Sequence, residues 1–417
     1  MEHLNLIVTV LGGLILLLGL VSKRLEAGPI PPSVLALALG VLIGPQGIGL
    51  IDLAAIGQPE RILEGAARLT LGIGLVGVAL RVPRGFPRRH WGEMTVLILL
   101  AMALMWAVST ALVYLILGLP FWVAALIGAI VTATDPIAAT PIASGQLAEA
   151  NVPERIRNAV SFESGANDGL SYLFVFLPFL LLTRPQHEAL SHWVTHTLLW
   201  EVGAATVFGL LLGYVAGKAL QLAERHGTIE QKWRLAYTVA LALFAVGAGR
   251  LIKTDELLIV FAAGAAFVQV VSGEDRANEE QGQEALNRFF SIPFFALFGM
   301  VIPWGEWAKL GWSGVLLAVA ILLLRRPLPM LLLKPVLPSI RSRADALFTG
   351  WFGPIAVAAV YYATLMDHKL GDPLVWPVVS LVVFASALAH GISASPLTRL
   401  YGRHARGKTA ESEDSAS

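Results

Sequence analysis

Residues 130–141 read Ile130-Val-Thr-Ala-Thr-Asp-Pro-Ile-Ala-Ala-Thr-Pro141. They sit inside an apolar run, 120–146, that is long enough to cross a bilayer as a helix. A hydrocarbon core of about 30 Å needs about 20 such residues. Asp135 stands mid-run, where a charge costs roughly 2.5–3.5 kcal/mol on insertion scales. Pro136 removes a helical hydrogen bond beside it, and Pro141 follows about one turn later. A charged, broken helix at this depth persists only where it is buried in protein or lines a polar cavity. Thr132, Thr134 and Thr140 supply hydroxyls at the break.

The rest of the chain fits that setting. Of its 417 residues, 56% are hydrophobic and 14% are charged, against about 25% charged in soluble domains. Its mean hydropathy is +0.70. With no cysteine, disulfides and thiolate-bound zinc are excluded. Thirteen apolar runs predict membrane helices: 4–22, 32–50, 65–81, 92–118, 120–146, 155–183, 195–222, 233–252, 255–273, 289–303, 312–336, 344–366 and 373–397. The opening Met1-Glu2-His3-Leu4 lacks a basic signal-peptide start, so 4–22 reads as an uncleaved first span. With the N-terminus outside, Lys and Arg favour the inside segments by roughly three to one, as the positive-inside rule expects. The C-terminus is then cytoplasmic, in a plasma (bacterial inner) membrane. Residues 1–405 form a single transmembrane domain, Ser272 to Asn287 is its longest polar loop, and 406–417 is a short polar cytoplasmic tail in which Lys408 to Ser417 is expected to lack order.

Other charges share Asp135's depth. Ser161-Phe-Glu-Ser-Gly-Ala-Asn-Asp-Gly169 puts Glu163 and Asp168 in the sixth run, and Arg325 and Arg326 lie in the eleventh. Either arginine fits Glu163 as a structural ion pair. Asp168 has no such partner in the sequence. In the twelfth run, Gly353-Pro354-Ile355-Ala356 echoes Asp135-Pro136-Ile137-Ala138. Runs five and twelve cross in opposite directions. Interrupted helices at matching places in two halves are the sequence mark of a transporter built from inverted repeats.

The chemistry follows from the acid. A buried carboxylate without a partner favours its neutral form. It is neutralised by a proton or by a small cation, and if only one fits, the two compete. A carrier that changes sides only when neutralised then exchanges one for the other. Asp168 is the expected carrier. Ser164, one turn earlier, and Thr134, across the crossing, supply oxygens to a transported Na+, with Asp135 beside them. Asn167 is placed to hold the broken backbone. One free carboxylate implies electroneutral one-for-one exchange.

At these residues the sequence resembles the cation:proton antiporter-1 family, the sodium/proton exchangers. Thr134-Asp135-Pro136 and Phe162-Glu-Ser-Gly-Ala-Asn-Asp-Gly169 carry the resemblance, with Leu324-Arg-Arg-Pro327 and Gly350-Trp-Phe-Gly-Pro354. These stretches are most similar to the fungal plasma-membrane branch and its bacterial relatives. Pro31-Pro32-Ser33, Gly44-Pro45 and His390-Gly391 also fit. The resemblance implies an all-α fold of about thirteen helices with crossed interrupted helices, and a homodimer. It also implies an ion site on Asp168 with Ser164, Thr134 and Asp135, the pairing of Asn167 with the crossing, and a Glu163–arginine clamp. Two positions depart from the family: span three carries no acidic residue, and Ile355 stands where many relatives have Arg.

Sodium, potassium and lithium are not distinguished by these residues. The expected partners are cations, protons and lipid; nucleic acid is not among them. No cofactor beyond the transported ions is expected, and no nucleotide motif points to a pump. The rival readings are a proton-coupled carrier of a small organic solute and an intramembrane aspartyl protease using Asp135 and Asp168. The protease reading lacks its Gly-x-Gly-Asp context. His187, His192 and His196 read as interfacial, His390 as packed, and most Trp as an interfacial belt.

Overall fold

The computed structural model describes residues 2–28, 30–271 and 276–414. Its long elements are helices. They are α1 (Glu2–Leu20), α2 (Pro32–Ile43), α3 (Pro59–Arg81), α4 (Trp91–Leu117), α5 (Phe121–Ile130), α6 (Glu154–Thr183) and α7 (Gln186–Arg225). After them come α8 (Arg234–Leu251), α9 (Glu256–Val270), α10 (Arg276–Met300), α11 (Trp304–Leu324), α12 (Arg343–Trp351), α13 (Val357–Leu370) and α14 (Val375–Asp414). Each of the thirteen apolar runs falls on one or two of these helices. Among the described residues, seven helices are long and apolar enough to cross a membrane, and shorter apolar ones include α2, α5 and α9. The chain is a polytopic all-helical membrane protein.

Local chemistry sets the ends. Pro32 and Pro59 open their helices in the first turn, where the missing N–H is no loss. Asp255 caps α9 by accepting from the N–H groups of Leu257 and Leu258. Gly118 and Gly371 close α4 and α13 with left-handed φ values of 65° and 63°, which glycine adopts without a Cβ penalty.

α3 is buried along most of its length and packs against α8, α9, α10 and α13. α7 lies on α9 through Gly209, Gly213 and Gly217, whose missing side chains let it approach the backbone of Ile259, Ala263 and Phe267. Such small-residue contact drives association where lipid offers no hydrophobic contrast. The same helix turns Leu210, Leu211 and Val215 outward.

Three expectations are corrected. α10 starts at Arg276, so most of the expected loop is helix; Ser272 to Asp275 lie outside the described residues. Its early turns look polar in sequence, yet Gln283 and Asn287 are buried. Helix α14 continues through 408–414, where a tail without order was expected; 415–417 lie outside the described residues. Arg325 and Arg326 do not lie mid-helix. They form a turn between α11 and the short helix Pro327–Leu333.

Candidate functional site

The two breaks meet. α5 ends at Ile130, and the chain stays non-helical to the short helix Thr140–Ala143. α12 ends at Trp351, and α13 starts at Val357. The Asp135 N–H donates to the Pro354 carbonyl at 2.8 Å, tying one break to the other.

Buried backbone groups need partners, and here side chains supply them by charge. Asp135 serves the N-terminal ends. Its Oδ1 accepts from the N–H groups of Ile137 (2.8 Å) and Ala138 (3.0 Å), and its Oδ2 from that of Val357 at the start of α13 (2.6 Å). Arg325 serves the C-terminal ends. Its guanidinium donates to the carbonyls of Val131, Thr132, Ala133 and Gly353. An anion at helix N-termini and a cation at C-termini each oppose the local dipole. Asp135 was expected in the cation and proton site; its oxygens accept from three backbone N–H groups. Arg325 was expected as one possible partner of Glu163; it holds carbonyls.

Arg326 forms the ion pair. Its Nη1 and Nη2 reach the Glu163 oxygens at 3.2 and 2.9 Å, with both residues buried. Its Nε donates to the Thr349 carbonyl at 3.1 Å. Gly353 is required beside it, because a Cβ there would overlap the Arg326 side chain. Asn167 extends this chain: its Nδ2 donates to Glu163 Oε1 at 3.4 Å, and its Oδ1 accepts the Thr134 N–H at 3.0 Å. The expected hold of Asn167 on the broken helix is therefore present, one residue before Asp135.

Asp168 follows Asn167 on α6 and is 0% exposed. Neither of its carboxyl oxygens has a hydrogen-bond partner, and neither does the buried Thr134 hydroxyl. Ser164 is buried one turn below, lining a pocket with Val78, Arg81, Pro136 and Ser161.

Two of the supporting residues, Tyr362 and Ser386, were not assigned roles from sequence. Tyr362 on α13 donates to the Asp168 carbonyl at 2.7 Å. Ser386 on α14 accepts the Ile355 N–H at 2.7 Å. The ring of His390 bonds Ser386 and, at 2.8 Å, the Trp351 carbonyl, so this histidine is packed as expected. The free backbone groups at Gly353-Pro354 were the only sequence signal for such braces.

A membrane bundle with two crossed, interrupted helices and an unpaired acid beside them is the architecture of a secondary transporter. The chain belongs to the sodium/hydrogen exchanger family: the model for its transmembrane region matches residues 11–400. It is 30% identical over 92% of its length to a Na(+)/H(+) antiporter of Saccharomyces cerevisiae, of which it spans 42%. It is 29% identical over 89% of its length to a Na(+)/H(+) antiporter of Schizosaccharomyces pombe, of which it spans 84%. Among solved structures, the sodium proton antiporter of Methanocaldococcus jannaschii at pH 8 superposes with a TM-score of 0.73. That match has 22% identity and covers 95% of this chain and 98% of the other, and it shows the shared fold.

Proposed function

We propose that this chain exchanges a small monovalent cation, Na+ or alternatively K+ or Li+, for a proton, with Asp168 as the group that both occupy in turn. The observation that carries this reading is the set of buried oxygens without partners: two on Asp168 and one on Thr134. Oxygen donors suit hard cations, and a partnerless carboxylate at this depth requires a neutralising ligand. The names of the fungal relatives agree with the substrate class. Ser164 is a further oxygen donor along the helix.

The remaining assignments are part of the same reading. The membrane is a plasma (bacterial inner) membrane, with the N-terminus outside, from the distribution of Lys and Arg. The working unit is a homodimer, from the family resemblance. The transported ions are substrates, and no cofactor takes part. An organic solute suits the site less. The pocket beside Ser164 has no room for a water-sized sphere, whereas ligand clefts begin at roughly 300 Å³.

The test is exchange in proteoliposomes. Adding sodium or potassium dissipates an imposed proton gradient in the unaltered protein, and Asp168→Asn abolishes this. Retained exchange in that variant overturns the reading.

A further inference from the structure

Between α3 and α4 the chain reads Arg81-Val-Pro-Arg-Gly-Phe-Pro-Arg-Arg-His-Trp91. It carries four arginines in the nine residues 81–89 and no acid. The segment is fixed in place. Gly85, at φ 71°, turns the chain into a short helix, Phe86–Arg89. The Gly85 N–H donates to the Gln269 side chain at 3.0 Å, and Arg84 Nε donates to the Val268 carbonyl at 3.0 Å, so the turn rests on the end of α9. Phe86 is buried and stacks on the His90 ring at 4.4 Å, and His90 Nδ1 lies 3.1 Å from the Phe86 carbonyl. With Phe86 turned inward, Arg88 and Arg89 are exposed.

Other cations on this face are answered by acids, as Arg155 is by Asp345 and Lys232 by Glu230. Arg88 and Arg89 have no acidic partner among the described residues. Glu93, the next acid along the chain, is buried and accepts the Ser339 N–H at 2.7 Å. Trp91 sets the depth of the pair. It is 71% exposed, and the outward side of α4 continues from it through Thr95 to the exposed Leu99. A tryptophan at the end of such an apolar face marks the headgroup level. The two guanidiniums, two and three residues earlier, therefore lie where lipid phosphates lie.

We propose that Arg88 and Arg89 bind the phosphate of an anionic phospholipid in the leaflet they face, with Trp91 packed against the top of its acyl chains. Arginine forks match phosphate oxygens in paired hydrogen bonds, and basic clusters beside a membrane helix attract anionic headgroups. A free phosphate uses the arginines alone; Trp91 and the apolar face below it select a lipid. The occupied site steadies the link between two packing groups: α3, on α8, α9 and α10, and α4, on α5 and α11. α3 ends in Arg81, which lines the pocket beside Ser164, so the lipid holds a segment next to that pocket. The site stands whether or not Asp168 is the carrier.

The experiment titrates phosphatidylglycerol into the purified full chain in detergent, over a background of phosphatidylcholine. Two quantities are read: the thermal unfolding midpoint, and the lipid retained in native mass spectrometry. The unaltered protein gains stability and retains phosphatidylglycerol. Arg88→Gln combined with Arg89→Gln needs roughly thirtyfold more of it for half the effect, as the loss of two arginine–headgroup contacts predicts. Arg399→Gln combined with Arg403→Gln, which removes two exposed arginines from α14, leaves the titration unchanged. An unchanged titration in the first pair, an equal loss in both pairs, or the same stabilisation by inorganic phosphate overturns the lipid site. The midpoint in phosphatidylcholine alone checks that the first pair folds. Should it not fold, Trp91→Ala carries the test: weaker retention of phosphatidylglycerol supports the site, and retention equal to the parent's overturns it.

Discussion

Three acids lie within a few turns of one another, and their partners separate their roles. Glu163 has a bidentate arginine, Asp135 has three backbone N–H groups, and Asp168 has none. Removing a partner from a buried pair costs about 3–5 kcal/mol, because the other charge stays buried. Glu163→Ala therefore lowers stability by that order, read as earlier thermal unfolding of the detergent-solubilised protein. Arg326→Lys is no remedy, since a single ammonium cannot match two carboxylate oxygens and the Thr349 carbonyl in one plane. Asp135 separates a structural role from an ion-binding one. Asparagine keeps one accepting oxygen, enough for the N–H groups of Ile137 and Ala138 while its NH2 replaces the acceptor of Val357, whereas alanine leaves all three unpartnered at about 1–3 kcal/mol each. Asp135→Asn is expected to retain a folded protein with measurable exchange, and Asp135→Ala to unfold at clearly lower temperature. Exchange abolished by Asn in a protein of normal stability would return Asp135 to the ion site.

At the scale of elements, the breaks work as a unit. The carbonyls of Val131, Thr132 and Ala133 and that of Gly353 converge on one guanidinium, while N–H groups from both broken segments converge on one carboxylate. Gly353 leaves room for Arg326, so Gly353→Ala forces the arginine side chain aside and loosens its hold on Glu163. Its expected effect is lower exchange together with lower thermal stability, and a variant as stable and active as the parent would refute it. Much of this was legible in the sequence. Asp-Pro and Gly-Pro in long apolar runs mark breaks whatever the tertiary structure, because proline removes an N–H and lipid supplies no substitute. What each break bonds to was not legible. Tyr362 reaches Asp168 across 194 residues, and Arg325 reaches Val131 across the same separation. Periodicity carries no information on such pairs. The start of α10 was missed for a related reason. Gln283 donates to the Ile73 carbonyl of α3 at 2.7 Å, so a side chain that looks solvated in sequence is buried by a distant partner.

For the whole molecule, the partner assignments bear on the charge that the proposed carrier moves. With Asp135 and Glu163 engaged, Asp168 is the one acid at the crossing with both carboxyl oxygens unpartnered, among the described residues. On the proposed reading of Asp168 as the carrier, one proton replaces one monovalent cation, and no net charge crosses the membrane in a cycle. Moving one elementary charge through 100 mV is worth about 2.3 kcal/mol, which is roughly a fiftyfold change in an equilibrium ratio. The two stoichiometries are therefore easy to tell apart. Proteoliposomes held at a fixed pH difference are expected to reach the same sodium ratio at zero and at 100 mV; a shift of tenfold or more contradicts one-for-one exchange. Position 167 supplies the converse. Asn167 donates to Glu163 and accepts from Thr134, and Asn167→Asp keeps the acceptor but replaces the donor with a second charge. The expected variant is less stable, and any exchange it retains becomes sensitive to voltage.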